Sequence, residues 1–258
     1  MLDRLRRWRT GFFSAAPRII PDELWGVTLD TCRVLQKLDA AQRERLRELT
    51  GLFLARKRFS PIADLRLDDA RCLIIAAQAC LPVLHLGFDW LRGWREVIVY
   101  PGAFRVRREH HDEQSGVVTE GDDVLIGEAW ERGPLVLSWA DIEADLTDPH
   151  AGFNVIIHEV AHKLDMLTGA SDGVPPLPRS IVRAEWIATF QQAYADHCAA
   201  VDAGRITAID EYAAESADEF FACLCETWYS DPATVCRAMP SIAALLQRLF
   251  VPEAPHPG

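Results

Sequence analysis

No uncharged run in this sequence is long enough to cross a bilayer. The longest, residues 72–88, is slightly short for a span and contains Gln78, Pro82 and His85. It reads instead as a buried helix that ends near Pro82. No secretory leader is expected either. Arg4, Arg6, Arg7 and Arg9 resemble a positively charged leading segment, but residues 11–20 supply no clean apolar core behind them. Internal repeats are absent, and low complexity is confined to the Pro-rich end, where residues 251–258 are expected to form a flexible tail. The cysteines do not form a disulfide framework. There are seven, an odd number, scattered through mostly apolar surroundings, and Cys223-Leu-Cys225 lacks the two-residue gap of redox and zinc-knuckle motifs. Buried reduced thiols in a cytoplasmic protein fit this usage, with no membrane association.

Hydrophobic residues make up 49% and charged residues 25%, as in an ordinary globular chain. A length of 258 residues allows one large domain or two small ones, because single cores stop growing near roughly 250–300 residues. The net charge of −11 is unevenly spread. Residues 1–58 hold 13 Lys/Arg and 7 Asp/Glu (+6), and the remaining 200 hold 14 and 31 (−17). So acidic a body is a poor candidate for non-specific nucleic-acid binding, which requires cations against phosphate. The short basic segment is a solvated face or a contact for an acidic partner.

Residues 21–87 carry a helical pattern. Leu35, Leu38, Leu46, Leu49, Leu52 and Phe53 recur at three- and four-residue steps. Asp39 suits one helix N-cap, and Asp68 or Asp69 the next. From Trp94 the character changes to short β-rich runs: 96–100, 104–108, 117–120, 123–128 and 135–139, separated by turn residues. After Ala140 it returns to helix. Helices, then strands, then helices describe an α+β fold. The expected organisation is one domain over 1–258, with a helical part at 1–90 and strands with the active helices at 91–250.

The chemistry concentrates in His158-Glu159-Val160-Ala161-His162, an HExxH motif. On a helix the two histidines lie four residues apart on one face, so both imidazoles can reach one metal ion. Zinc accepts imidazole nitrogen at about 2.0–2.1 Å and keeps a position for water in catalytic sites. Glu159 is placed to take that water's proton. Apolar neighbours bury the helix nearly all round, where two unpartnered histidines would be costly.

A third ligand is required. The residues after His162 are Lys-Leu-Asp-Met-Leu-Thr-Gly, which excludes the HExxHxxGxxH pattern. A glutamate on a later helix is the other common solution, and residues 212–229 offer Glu215, Glu219 and Glu226 among Phe220, Phe221, Leu224 and Trp228. Ser216-Ala-Asp-Glu219 also reads as a capping box, in which Glu219 would fold back onto the Ser216 amide. From pattern alone, capping and ligation are equally open, and Glu226 remains a rival ligand or a support for one. Asp165 is open to a hydrogen bond from an imidazole N–H, from Lys163 or from a nearby backbone amide.

The sequence resembles the Mlc titration factor A family, zinc peptidases of the gluzincin type whose catalytic domain is similar to that of anthrax lethal factor. The resemblance covers nearly the whole chain. It is carried by Trp25, the Phe53 to Lys57 region, Ile75-Ala-Ala-Gln-Ala-Cys80-Leu-Pro, Tyr100-Pro101, Gly133-Pro-Leu-Val-Leu-Ser-Trp139, the segment from His158 to Asp165, Gly173-Val-Pro175, and Tyr212-Ala-Ala with Glu219-Phe-Phe. It implies a zincin-like core and one Zn2+ per chain, held by His158, His162 and Glu219. In the family the third ligand lies seven residues after a tyrosine, which makes that tyrosine Tyr212, an oxyanion donor. It also implies that segment 135–139 is an edge strand pairing with extended substrate, and that the activity is aminopeptidase-like. A partner of the Mlc repressor type is implied as well. The alternative is a protein-binding anti-repressor whose peptidase activity is secondary.

Other clusters carry less. His110 and His111 are adjacent in a polar turn and point apart, and His85, His150 and His197 are isolated. Ser138 has no G-x-S-x-G context, so a serine hydrolase is unsupported.

Overall fold

The computed structural model describes residues 16–102, 133–147 and 152–251. The expected strands at 104–108, 117–120 and 123–128, the His110–His111 pair, His150, the basic residues Arg4 to Arg9 and the chain end at 252–258 lie outside them.

Among the described residues the chain begins with α1 (Asp22–Thr31), α2 (Arg33–Gln36) and α3 (Ala40–Arg56). Then follow β1 (Arg58–Pro61), α4 (Asp69–Cys80), β2 (Glu96–Tyr100) and β3 (Leu135–Ser138). The remaining helices are α5 (Trp139–Thr147), α6 (Val155–Asp165), α7 (Arg183–Asp202), α8 (Ala217–Ser230), α9 (Pro232–Ala238) and α10 (Pro240–Phe250). This is an α+β, helix-rich fold.

Local chemistry accounts for several boundaries. Asp39 begins α3 with a reciprocal capping box: its carboxylate receives the Gln42 N–H at 2.8 Å, and the Gln42 side chain receives the Asp39 N–H at 3.1 Å. Asp68, not Asp69, caps α4 by accepting from Arg71 N–H at 2.8 Å. α4 buries every residue from Leu73 to Cys80. It ends there, and a 3₁₀ turn at Leu81–Val83 takes up Pro82, because proline has no N–H to continue a helix.

The strands form a parallel sheet in the order β1-β2-β3, with Arg58 opposite Glu96 and Val97 opposite Leu135. β1 falls inside the stretch whose pattern is helical. Its four residues are too few for period-two alternation to register, and its strand geometry comes from pairing with β2, a partner distant in sequence. The link from β1 through α4 to β2 is a parallel crossover. Lys57, just before β1, is buried: its ammonium donates to the Leu91 and Trp94 carbonyls at 2.5 and 2.7 Å and lies 3.3 Å from the Trp94 ring centre. Burial lowers its pKa to about 7.

β3 ends at Ser138, one residue before the expected limit, because the Ser138 hydroxyl accepts from Asp141 N–H at 3.2 Å and Trp139 opens α5. Buried side chains from α1 through α10 form one hydrophobic cluster. α6 crosses its middle, packed on β3, α4 and α8.

Candidate active site

Asn154 starts α6: its side chain receives the Ile157 N–H at 2.9 Å, and its amide nitrogen donates to Gln78 at 2.5 Å. The helix then presents His158 and His162 on one face, their ring centres 4.8 Å apart and their Nε2 atoms 3.1 Å apart. α8 lies against this face. Ser216 caps α8 by accepting from the Glu219 N–H at 3.4 Å. Capping uses that backbone amide, while the Glu219 carboxylate turns to the histidines. Its Oε2 lies 3.0 Å from His158 Nε2 and 3.2 Å from His162 Nε2. Glu219 is 4% exposed and His162 2%.

Three electron-pair donors therefore converge with separations of 3.0–3.2 Å. Ligands of a tetrahedral zinc at about 2.0–2.1 Å stand roughly 3.3 Å apart, so the donor set fits that ion in identity and spacing. The electrostatics point the same way. Burial would lower the His158 pKa, but bonds with Cys223, Glu219 and Glu226 hold its imidazole well above the usual histidine value. Burial pushes Glu219 up, and its contacts with both histidines outweigh this and hold the carboxyl well below its usual range. The pocket favours positive charge at the point of convergence.

Glu226 lies on the far side of His158. Its Oε1 makes a short hydrogen bond to His158 Nδ1, and its Oε2 accepts from the Asn154 N–H at 3.1 Å. It faces the ring nitrogen opposite the three-donor cluster. Cys223 also comes close enough to His158 and Glu226 to form a second donor group. Sequence reasoning missed this contact, because the Cys223-Leu-Cys225 spacing matches no metal motif and carries no sign of a histidine on another helix.

Among the described residues, Asp165 hydrogen-bonds neither an imidazole nor Lys163. Its Oδ2 accepts from Gly173 N–H at 2.8 Å, which folds the loop after α6 back onto the helix. Gly173 has φ +76°, and a Cβ there would lie 2.7 Å from the Phe190 ring and 2.9 Å from the Ala217 carbonyl. Lys163 donates to the Gly133 carbonyl at 3.1 Å. Asp165 is 0% exposed, and burial raises its pKa to about 7. A carboxyl whose pKa is higher folded than unfolded favours folding below its unfolded pKa of about 4. That contribution is lost as pH rises through about 7. Asp165→Asn, which mimics the neutral acid, is therefore expected to flatten part of the stability decline between about pH 4 and 7. Urea unfolding of both proteins at several pH values checks this; parallel curves would contradict it.

Tyr212 lies on a 3₁₀ turn, Glu211–Ala214, started by Asp210, whose carboxylate receives the Tyr212 N–H at 2.7 Å. The Tyr194 hydroxyl, from α7, donates to the Ala214 carbonyl at 3.1 Å and ties the turn down. Tyr212 is 50% exposed, with its ring centre 6.3 Å from that of His158. Glu159 follows His158 on α6 and is half-buried. β3 stands at the outer position of the described sheet. His197 is buried away from this cluster, against Phe220.

A helix pair that brings two histidines and a glutamate to one point, on an α+β frame, has the donor set of a metallopeptidase. A family model described as glucose-regulated metallo-peptidase M90 matches residues 3–251. The chain belongs to this family. It is also 40% identical to Mlc titration factor A of Escherichia fergusonii over 212 residues, 81% of this chain and 78% of that one. It is 38% identical to Mlc titration factor A of Salmonella arizonae over 224 residues, 86% of this chain and 87% of the other.

Proposed function

We propose that the chain is a zinc-dependent peptidase, acting on the amino-terminal residues of peptides, with one ion held by His158, His162 and Glu219. The observation that carries this is the convergence of the three donor atoms within 3.2 Å on a buried helix pair. When bound, zinc lowers the pKa of its water and polarises the scissile carbonyl. Glu159 takes a proton from the attacking water and returns it to the leaving amine. Tyr212, beside His158 and half exposed, donates its hydroxyl to the developing oxyanion. β3 offers its outer edge to the extended substrate. The acidic body suits a free amino terminus or a basic peptide, and argues against direct nucleic-acid contact.

Elemental analysis, paired with hydrolysis of a panel of aminoacyl and peptidyl anilides, tests the reading. About one zinc per chain and cleavage of aminoacyl anilides are expected. Hydrolysis confined to blocked peptides would refute the amino-terminal preference. Tyr212→Phe is expected to lower kcat roughly 10²–10³-fold with zinc content unchanged; an unaltered kcat would remove the hydroxyl from the mechanism.

The relatives' name, Mlc titration factor A, favours a second reading, in which the chain sequesters a repressor of the Mlc type and hydrolysis is secondary. We also take the chain to be a single domain in the cytoplasm. The continuous hydrophobic cluster supports the first point, and seven free thiols support the second. No helix among the described residues is long and apolar enough to cross a membrane.

A further inference from the structure

The two histidines are supported unequally. His158 Nδ1 is bonded directly to Glu226. His162 Nδ1 is buried and has no hydrogen-bond partner among the described residues. A ring whose Nε2 serves as an electron-pair donor carries its proton on Nδ1, and a buried N–H left unpaired is costly. The carboxylate facing this nitrogen is Asp218, one residue before Glu219, with Oδ2 at 3.8 Å.

That carboxylate is held from two sides. The same Oδ2 accepts from the Ser171 hydroxyl at 2.9 Å, and Oδ1 makes a short bond to the Ser216 hydroxyl. Ser171 belongs to the loop that follows α6, the loop that Asp165 anchors through Gly173. Trp186 strengthens the anchor by donating to the Gly173 carbonyl at 2.9 Å. Three elements therefore meet behind His162: the active helix, its own returning loop and the first turn of α8. Asp165 has already committed one oxygen to the Gly173 amide. Asp218 needs to shift by only about 1 Å to reach hydrogen-bond distance from His162 Nδ1.

We propose that Asp218 is the positioning residue for His162. Its carboxylate accepts a hydrogen bond from the Nδ1–H, fixes the tautomer that directs Nε2 toward Glu219, and is itself aimed by Ser171. The inference rests on the metal-site reading above and adds the support for the second histidine. Carboxylates that orient a ligating imidazole typically contribute 10–100-fold to metal affinity.

The test uses the full chain as wild type, Asp218→Asn, Asp218→Ala and Ser171→Ala. Zinc affinity is measured by competition with a chromogenic chelator, and thermal unfolding is followed without metal. Asp218→Ala is expected to bind zinc 10–100-fold more weakly. Asp218→Asn retains an oxygen acceptor and a group for the serine hydroxyls, so it should fall between wild type and alanine. Ser171→Ala should show a smaller loss. A second readout separates positioning from folding. Zinc-loaded wild type should show two downfield imidazole N–H resonances. Asp218→Ala should lose or shift one of them, leaving the His158 signal in place.

Zinc affinity for Asp218→Ala within about twofold of wild type would overturn the proposal. So would weakened affinity with both N–H resonances unmoved, since that pattern marks a folding defect. If wild type itself takes up no zinc, the metal-site reading fails and this inference fails with it. If wild type binds and the variants bind equally, the inference alone fails.

Discussion

Glu159→Gln is expected to lose hydrolysis by at least about 10²-fold, and up to roughly 10⁴-fold, the usual range for a positioned general base. Zinc content and thermal stability should stay at wild-type values. Glutamine has nearly the same volume and hydrogen-bonds well, but its amide cannot accept the proton of the attacking water. Glu159 lies between two histidines on α6 and is half-buried, so the exchange neither opens a cavity nor removes a donor from the three-atom cluster. Steady-state hydrolysis of an aminoacyl anilide, beside elemental analysis, gives the result. Full activity in the variant would refute the assigned role. The same protein separates the two functional readings: retained repressor binding with no hydrolysis favours sequestration, and loss of both ties the partner to the chemistry.

Glu219→Ala is expected to leave the protein with almost no zinc after dialysis, while Glu226→Ala keeps it with roughly 10–100-fold weaker affinity. The two glutamates are seven residues apart on α8 and both are buried. They differ in which atom of His158 they face. Glu219 lies 3.0 Å from Nε2, on the side where His162 converges, and Glu226 bonds Nδ1, on the opposite side of the ring. Removing Glu219 takes away one of three donors. Removing Glu226 leaves all three and frees the ring to turn. Metal retained in Glu219→Ala and lost in Glu226→Ala would move the ligand to Glu226.

Much of this site was legible in sequence because its signals are local. Two histidines four apart share a helix face whatever the rest of the chain does, and an apolar helix around them makes a partner necessary. The caps Asp39 and Ser216 are likewise short-range chemistry. The spacing from Tyr212 to Glu219 was legible only through resemblance to a family.

What sequence left open was decided by packing. Ser216-Ala-Asp-Glu219 suits both a capping box and a ligand, and only the approach of α6 turns the Glu219 carboxylate toward imidazole. Asp165 had three possible partners, and the returning loop selected the Gly173 amide. Asp218 is legible in sequence only as an interior residue of the Ser216 to Glu219 cap, and Cys223 only as part of Cys223-Leu-Cys225; their approach to the imidazoles exists only once α6 lies alongside. β1 was hidden for the same reason: four residues become a strand because β2, some forty residues on, supplies the hydrogen bonds.

By itself, the sequence determined the helix that carries the two histidines and Glu159, the helical character of α3, α4 and α8, and the acidic balance of the body. Those features follow from spacing and composition along one segment. The tertiary structure alone decided which carboxylate faces which imidazole nitrogen, because that choice depends on the relative placement of α6 and α8. Helix placement is set by the whole buried cluster, and no window of sequence contains it.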